Sequence, residues 1–359
     1  MKNEFLVSIR CMSYNHASFI EDCMNGFTIQ KTNFPYVCVI DDDASTDGEP
    51  EVIKTYLDEN FNMDDKSVFR CEETDDYRLI FAQHKINRNC FFAVFFLKYN
   101  HYSIRKSKSY VDEFVEGTKY RAICEGDDYW IDPNKLEKQV NYLENHPNCA
   151  LCYTKALRKN NNKILGSWGD EDCSIEGLLN GSIIPTLTRV ERKTSFNDFF
   201  NEVKPDKQQW MMGDYANVLY YSIKSSIGYL ECYTSVYRIL DESSSHSKDI
   251  NKMLKFYDSA DNIRYFFIKN YIDDIEKKEE LSRMVKINEI KYKLKLYTQH
   301  YMIKEASVLY KSEKSLLPTM TRIKYRLETF SEVISPAFVF IFNIKQIIKN
   351  LIKSIYLSI

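Results

Sequence analysis

Three apolar runs in the first 130 residues each stop at a polar turn, and that recurring arrangement limits the chain to few folds. Phe5-Leu6-Val7-Ser8-Ile9-Arg10-Cys11 runs into Met12-Ser13-Tyr14-Asn15-His16, and a helix follows from about Ala17 to Gln30. Val37-Cys38-Val39-Ile40 ends in Asp41-Asp42-Asp43-Ala44-Ser45-Thr46-Asp47-Gly48, ahead of a helix from Glu51 to Asn60. The third run, Tyr120 to Cys124, stops at Glu125-Gly126-Asp127-Asp128-Tyr129-Trp130. Strand, turn, helix, strand, acidic turn, helix is the pattern of a βαβ unit in a parallel sheet. Ligands in such sheets bind beyond the carboxyl ends of the strands. Asn15, Asp43 and the Glu125–Asp128 cluster all fall there.

The three acids Glu125, Asp127 and Asp128 repel one another unless a cation sits between them, which points to a bound divalent metal; a solvated acidic turn is the alternative. Gly126 is expected to let the backbone turn sharply and admit a ligand close to the main chain. Tyr129 and Trp130 can wall one side of the pocket. Between Asn100 and Ser109 lies a polar, basic stretch containing Arg105 and Lys106, which reads either as a holder for a diphosphate or as a solvated loop. No Gly-x-Gly-x-x-Gly turn and no Gly-x-x-x-x-Gly-Lys-Ser/Thr loop is present, which disfavours dinucleotide and P-loop binding. Carboxylates line this cleft instead, and they accept hydrogen bonds from a base N–H or ribose hydroxyls.

The net charge of −2 offers no basic field for nucleic acid. The ten cysteines are scattered and no secretion signal opens the chain, so reduced thiols in a cytoplasmic protein are expected. Cys149 and Cys152, a lone Cys-x-x-Cys, read as packing residues. The longest apolar run, Cys90 to Leu97, is too short to span a membrane.

Further on, Asp132 and Pro133 suit an N-cap and first helical position, with Leu136, Val140 and Leu143 at helical spacing. A strand at Ala150 to Thr154 and an exposed hairpin or loop from Asn160 to Asp172 follow. Gly213-Asp214 opens a helix, where on local grounds Asp214 is an N-cap. Gly228 to Arg238 is an amphipathic strand. Beyond Asp249 helical periodicity dominates, broken at Pro318 and Pro336. At the end, Lys345, Lys349 and Lys353 share one half of a helical wheel and Ile344, Ile348, Leu351, Ile352 and Ile355 the other. Such a helix lies on an anionic membrane surface or packs on the preceding domain.

Taken together, Val7–Asn15, Val39–Gly48, Glu125–Leu136 and Met212–Asp214 resemble the family-two glycosyltransferases, inverting enzymes of the GT-A fold. The matching motifs are Ser13-Tyr14-Asn15, Asp42-Asp43-Ala44-Ser45-Thr46-Asp47, Glu125-Gly126-Asp127-Asp128 and Gly213-Asp214, in order, over roughly Phe5 to Ser247. The resemblance implies an α/β fold with a mostly parallel, Rossmann-like sheet flanked by helices. A catalytic domain over 1–247 would then precede a C-terminal helical extension over 248–359. It also implies transfer of a sugar from a nucleotide-diphosphate sugar, expected to be a UDP-sugar, to a glycan or lipid-linked acceptor, with Mn²⁺ or Mg²⁺ as cofactor. By resemblance, Ser13, Asn15 and Asp43 hold the nucleoside, Asp127 meets the ribose or donor sugar, Asp128 binds the metal, and Asp214 is the general base. Relatives place a His soon after a Val-Tyr-Arg strand, sometimes as a further metal ligand. Here Val236-Tyr237-Arg238 is followed by Ile239-Leu240, and the nearest histidine is His246, so the third ligand stays open. Surface polysaccharide or lipopolysaccharide synthesis, at the inner face of the cytoplasmic membrane, is the setting this implies. A sugar-nucleotide pyrophosphorylase, which lacks its usual Gly-rich loop here, and a binding module without turnover are the alternatives.

Overall fold

A computed structural model describes residues 4–104, 106, 108–161, 163–240 and 249–329. The chain divides into two compact units, Met1–Leu240 and Asp241–Ile359. The boundary expected between 247 and 248, His246, Arg105 and the terminal amphipathic segment from Ile344 to Ile359 lie outside the described residues.

The first unit is built on one sheet. Its parallel block comprises β1 (Val7–Ser13), β2 (Tyr36–Asp42), β5 (Cys90–Leu97) and β6 (Tyr120–Ile123), in the order β5-β2-β1-β6. Beyond β5 the hairpin β3 (Phe69–Glu73) and β4 (Tyr77–Gln83) adds antiparallel strands. Beyond β6 come β10 (Val190–Arg192), β8 (Cys149–Asn160), β11 (Ser226–Arg238) and β7 (Tyr129–Trp130), with β9 (Lys163–Trp168) folded back on β8. The sheet is therefore mixed: β10 enters antiparallel to both β6 and β8, and only β8 with β11 is parallel outside the main block.

β5 explains why the block is central. All eight of its residues are buried, and they alternate between two cores. Cys90, Phe92, Val94 and Phe96 join one apolar cluster, and Phe91, Ala93, Phe95 and Leu97 the other, as a period of two requires for a strand covered on both faces. Residues of α1 (Ile20–Thr28), α2 (Glu49–Asn60) and α4 (Lys135–Asn145) fill the first cluster. The short helix α3 (Asp112–Val115) contributes Phe114 and Val115 to the second. Leu136, Val140 and Leu143 face the core at the helical spacing of α4. That helix starts later than expected: Asn134 is its N-cap, and the Asp132 carboxylate instead accepts the Asn134 N–H at 2.9 Å. α5 (Ile175–Asn180), α6 (Lys193–Val203) and α7 (Gly213–Lys224) complete the unit. All ten cysteines are free thiols, and Cys149 and Cys152 pack in the first cluster.

The described residues of the second unit form helices: α8 (Ile250–Tyr271), α9 (Ile275–Gln299), α10 (Ile303–Glu313) and α11 (Thr319–Glu328). The Asp249 and Asp274 side chains cap α8 and α9. Ile290, Leu294, Ala306, Leu317 and Tyr325 form a core among α9, α10 and α11, and Pro318 sits immediately before α11. Among the described residues, no helix is long and apolar enough to cross a membrane.

Candidate functional site

The ends of β1, β2 and β6 lie side by side because the ladder continues past the strands. Asp43 N–H donates to Ser13 O at 2.9 Å, Cys124 N–H to Arg10 O at 3.0 Å and Gly126 N–H to Met12 O at 3.1 Å. The three polar turns singled out in the sequence thus meet on one edge of the sheet.

Asn15 has a left-handed backbone, φ 58°, a conformation asparagine tolerates better than most residues. Its side-chain oxygen accepts Thr46 N–H at 2.9 Å, and its own N–H donates to Ser45 Oγ at 2.8 Å. Ala17 N–H donates to Asp47 at 2.9 Å and His16 N–H to Glu49 at 2.7 Å. Ser45, Asp47 and Asn15 therefore stitch the first turn to the second. The Asp43 carboxylate, 5% exposed, accepts His101 N–H at 2.6 Å and Tyr102 N–H at 3.0 Å. Each oxygen keeps a lone pair for one more donor. Ser13 is buried and shares a hydrogen bond with His16 Nδ1 at 3.1 Å.

Gly126 is needed for a reason other than a sharp turn. Its φ is not among the positive ones. A Cβ built on it would lie 2.1 Å from Ser13 Oγ and 2.8 Å from Ser13 Cβ. The absence of a side chain lets the acidic loop press against the end of β1.

Asp128 is buried, and one of its oxygens accepts the Arg238 N–H at 2.7 Å. The Arg238 guanidinium donates to Asp127 O at 2.6 Å, pairs with Asp22, and lies 4.3 Å from the Tyr129 ring. Burial, then the charges of Asp127 and Glu125, hold the Asp128 carboxyl well above the usual carboxylate range, against the opposing pull of Arg238. Burial, then the charges of Asp127 and Asp214, push Glu125 up to about 7, while Arg189 pulls it down. Glu125 thus feels Asp127 on its own loop and Asp214 on α7 alike, so these acids share one electrostatic environment.

Asp214 lies in the first turn of α7 but is not its N-cap: that position is Met212, and no side chain caps the helix. The Asp214 carboxylate is exposed and accepts the Thr186 hydroxyl at 2.6 Å. Below it Arg189, 6% exposed, donates to Asp214 O at 2.8 Å and to Ile184 O. A buried network continues beneath: Asn217 and Tyr221 donate to Glu191 Oε2 at 3.4 and 2.7 Å, and Arg121 pairs with Glu191 at 3.3 Å. Thr186 and Arg189 escaped sequence reading; their only signal is a Thr and a charge-alternating Arg-Val-Glu-Arg run with no motif of its own.

Two expectations are corrected. Trp130 does not wall a pocket: it is 1% exposed, packs edge-on to Phe27 at 5.1 Å and donates from Nε1 to Leu187 O at 2.8 Å. Lys106 is directed to Asp76, at 2.7 Å, and to the Tyr99 hydroxyl, so its charge is already matched.

Among the described residues, no group of three or more His, Cys, Asp or Glu side chains gathers to hold a metal. The donor set still suits a hard divalent ion of one kind. Mg²⁺ and Mn²⁺ sites commonly take one or two carboxylates and complete their shell with water and substrate phosphates. Asp128 has one carboxylate oxygen that accepts no hydrogen bond from the described residues, next to Asp127 and Glu125.

No protein-family model matches the chain. Uncharacterized proteins of Mycobacterium tuberculosis and Mycobacterium bovis are 32% identical over 206 residues, covering 55% of this chain and 51% of theirs. The chain thus spans about half the length of the curated relatives it matches. Among solved structures, S. aureus TarS 1–349 in complex with UDP-GlcNAc superposes with a TM-score of 0.52 at 13% identity, covering 93% of this chain and 89% of that one. A mannosyltransferase from Pyrobaculum calidifontis, in complex with GDP-Man and Mn²⁺, gives a TM-score of 0.47 at 11% identity, over 97% and 87% of the two chains. The α/β architecture, a large sheet flanked by helices and followed by further helices, is similar to glycosyltransferase folds.

Proposed function

We propose that residues 1–247 form an inverting glycosyltransferase that moves a sugar from a nucleotide-diphosphate sugar to an acceptor hydroxyl. The observation that carries this reading is the meeting of the Ser13–Asn15, Asp43 and Glu125–Asp128 turns on one edge of the sheet, with Asp127 and Asp214 both acting on the charge of Glu125. The UDP-GlcNAc bound by TarS makes a UDP-sugar the first donor to try.

In this reading Ser13, Asn15 and Asp43 line the nucleoside end of the cleft and Asp127 meets the ribose or donor sugar. Asp128, with Asp127 or Glu125 beside it, would hold Mg²⁺ or Mn²⁺. Such an ion, when bound, offsets the negative charge that gathers on the departing diphosphate. Arg238 fixes the acidic loop through its guanidinium contact with Asp127 O and its main-chain bond to Asp128. Asp214 takes the proton from the acceptor hydroxyl as that oxygen bonds to the anomeric carbon. The bond from that carbon to the diphosphate oxygen breaks, and its electron pair leaves with the nucleoside diphosphate. A single in-line displacement of this kind inverts the anomeric centre. Thr186 and Arg189 hold the base: one orients its carboxylate and the other its backbone. The acceptor in this reading is a glycan or a lipid-linked sugar.

The test is calorimetric titration of UDP-GlcNAc, UDP-glucose and GDP-mannose, each with Mn²⁺ and with EDTA. Metal-dependent binding of at least one supports the proposal. Absence of binding to all three under both conditions would falsify it.

A further inference from the structure

We propose that the exposed face of α11 is a docking surface for an anionic lipid membrane, with three apolar side chains entering the acyl region and two arginines meeting the headgroups. Met320, Ile323 and Leu327 on this helix are 77%, 50% and 45% exposed. At about 100° per residue they fall within an arc of about 60°. The opposite side holds the helix down: Tyr325 is buried in the core with Ile290 and Leu294, and its hydroxyl donates to Lys291 O at 3.2 Å. Single exposed apolar residues are ordinary. A stripe of three on one short helix, turned away from its own core, marks a contact surface.

Charge selects the partner. Arg326 and Arg322 lie about 60° and about 100° beyond Ile323 around the helix, along one border of the stripe. Both are exposed, and neither pairs with an acid among the described residues; the Arg322 guanidinium donates to the Thr319 hydroxyl at 3.2 Å. Residues 291–329 contain nine Lys and Arg against three Glu, in a chain of net charge −2. An apolar stripe bordered by cations is how a helix lies in the plane of an anionic bilayer, its long basic side chains extending to the phosphates. α11 has ten residues, a length of about 15 Å, so it can lie in the interface and cannot span it. An acidic peptide would match the arginines and leave the stripe in water. An apolar protein groove would cover the stripe and strand the arginines. The proposal concerns the second unit alone and does not depend on glycosyl transfer.

The test is co-sedimentation of the full chain with vesicles of mixed phosphatidylglycerol and phosphatidylcholine, against vesicles of phosphatidylcholine alone, with sedimentation velocity on the same protein. Wild type should prefer the anionic vesicles, and added salt should weaken binding. Met320→Gln/Ile323→Gln should weaken it by about tenfold or more as apolar insertion is lost. Arg322→Gln/Arg326→Gln should do so by a similar factor. Ile275→Gln should bind as wild type does: that residue is 74% exposed as well, but it opens α9, about 24 Å along the helix from Lys291. Wild-type protein that sediments with neither kind of vesicle overturns the proposal. If that protein is monomeric, the chain's own segment from Ile344 to Ile359 is the remaining cover for the stripe; if it is a dimer that Met320→Gln/Ile323→Gln separates, a second copy is. Either double variant, folded by circular dichroism, that binds as wild type does also overturns it.

Discussion

Gly126→Ala is the substitution whose effect follows most directly from the geometry of the acidic loop. The new methyl would sit 2.1 Å from Ser13 Oγ, 2.8 Å from Ser13 Cβ and 3.1 Å from His16 Nδ1. Rotating the serine hydroxyl away removes the first contact but not the second, because Cβ is fixed by the β1 backbone. Carbon atoms prefer about 3.5–4.0 Å, so loop and strand must separate by several tenths of an ångström. Ser13 is buried, and overpacking at such a site costs about 1–3 kcal/mol. The displaced loop carries Glu125, Asp127 and Asp128, so metal-dependent donor binding should weaken with it. Ser13→Gly removes both offending atoms. Alone it should destabilise by about 1 kcal/mol, through the lost bond to His16 and the added backbone freedom. Combined with Gly126→Ala it should recover at least about 1 kcal/mol relative to additivity. Urea unfolding of the four proteins in the cycle, with donor titration on each, measures this. Additive destabilisations would refute the argument that Gly126 is there to admit Ser13.

Arg189→Met should destabilise by about 3 kcal/mol, since it strands the carbonyls of Ile184 and Asp214 and removes a buried cation that acts on Asp214 and Glu191. Arg189→Lys should recover only part of this because its single nitrogen replaces the two guanidinium nitrogens that reach the Asp214 and Ile184 carbonyls separately; full recovery in chemical denaturation would show that charge alone matters. Asp128→Ala should abolish the difference in donor affinity between Mn²⁺ and EDTA, and calorimetry showing that difference intact would count against Asp128 as a ligand. Lys135 is buried beside the Trp130 ring, and burial pushes its ammonium down to about 7. Between that value and the ordinary one near ~10.4 the unfolded chain binds a proton that the folded chain does not, so stability from this group rises with pH. The stability of Lys135→Met relative to wild type should therefore fall between about pH 7 and about pH 9.5, by at most ~1.4 kcal/mol per pH unit. An unchanged difference in urea midpoints at the two pH values would refute it.

Much of the scaffold was legible because periodicity reports burial directly. β5 is apolar at every position, and only a strand covered on both faces explains that. The polar strand ends were legible as well, and with them the edge where Asn15, Asp43 and Glu125–Asp128 meet. What was illegible depends on contacts distant in sequence. Trp130 follows an acidic loop by one residue, yet its indole reaches Leu187 O, 57 positions away. Gly126 reads as a turn glycine, and its need for close approach exists only once Ser13 lies opposite. Arg189 has no motif because its role is defined by the carbonyls of Ile184 and Asp214, which only the tertiary fold brings to it. The switch from parallel to antiparallel at β10 was hidden in a strand of three residues whose neighbours are set by the tertiary fold.

If Asp214 removes a proton while the acidic loop holds the donor, binding and turnover should separate at this residue. Asp214→Asn keeps the size of the side chain and an oxygen for the Thr186 hydroxyl. Donor affinity by calorimetry should stay within about twofold of wild type, while metal-dependent release of UDP from UDP-GlcNAc, or from whichever donor binds, should drop by about 10²–10⁴-fold. Turnover at the wild-type rate in a variant that still binds donor would show that Asp214 is not the base.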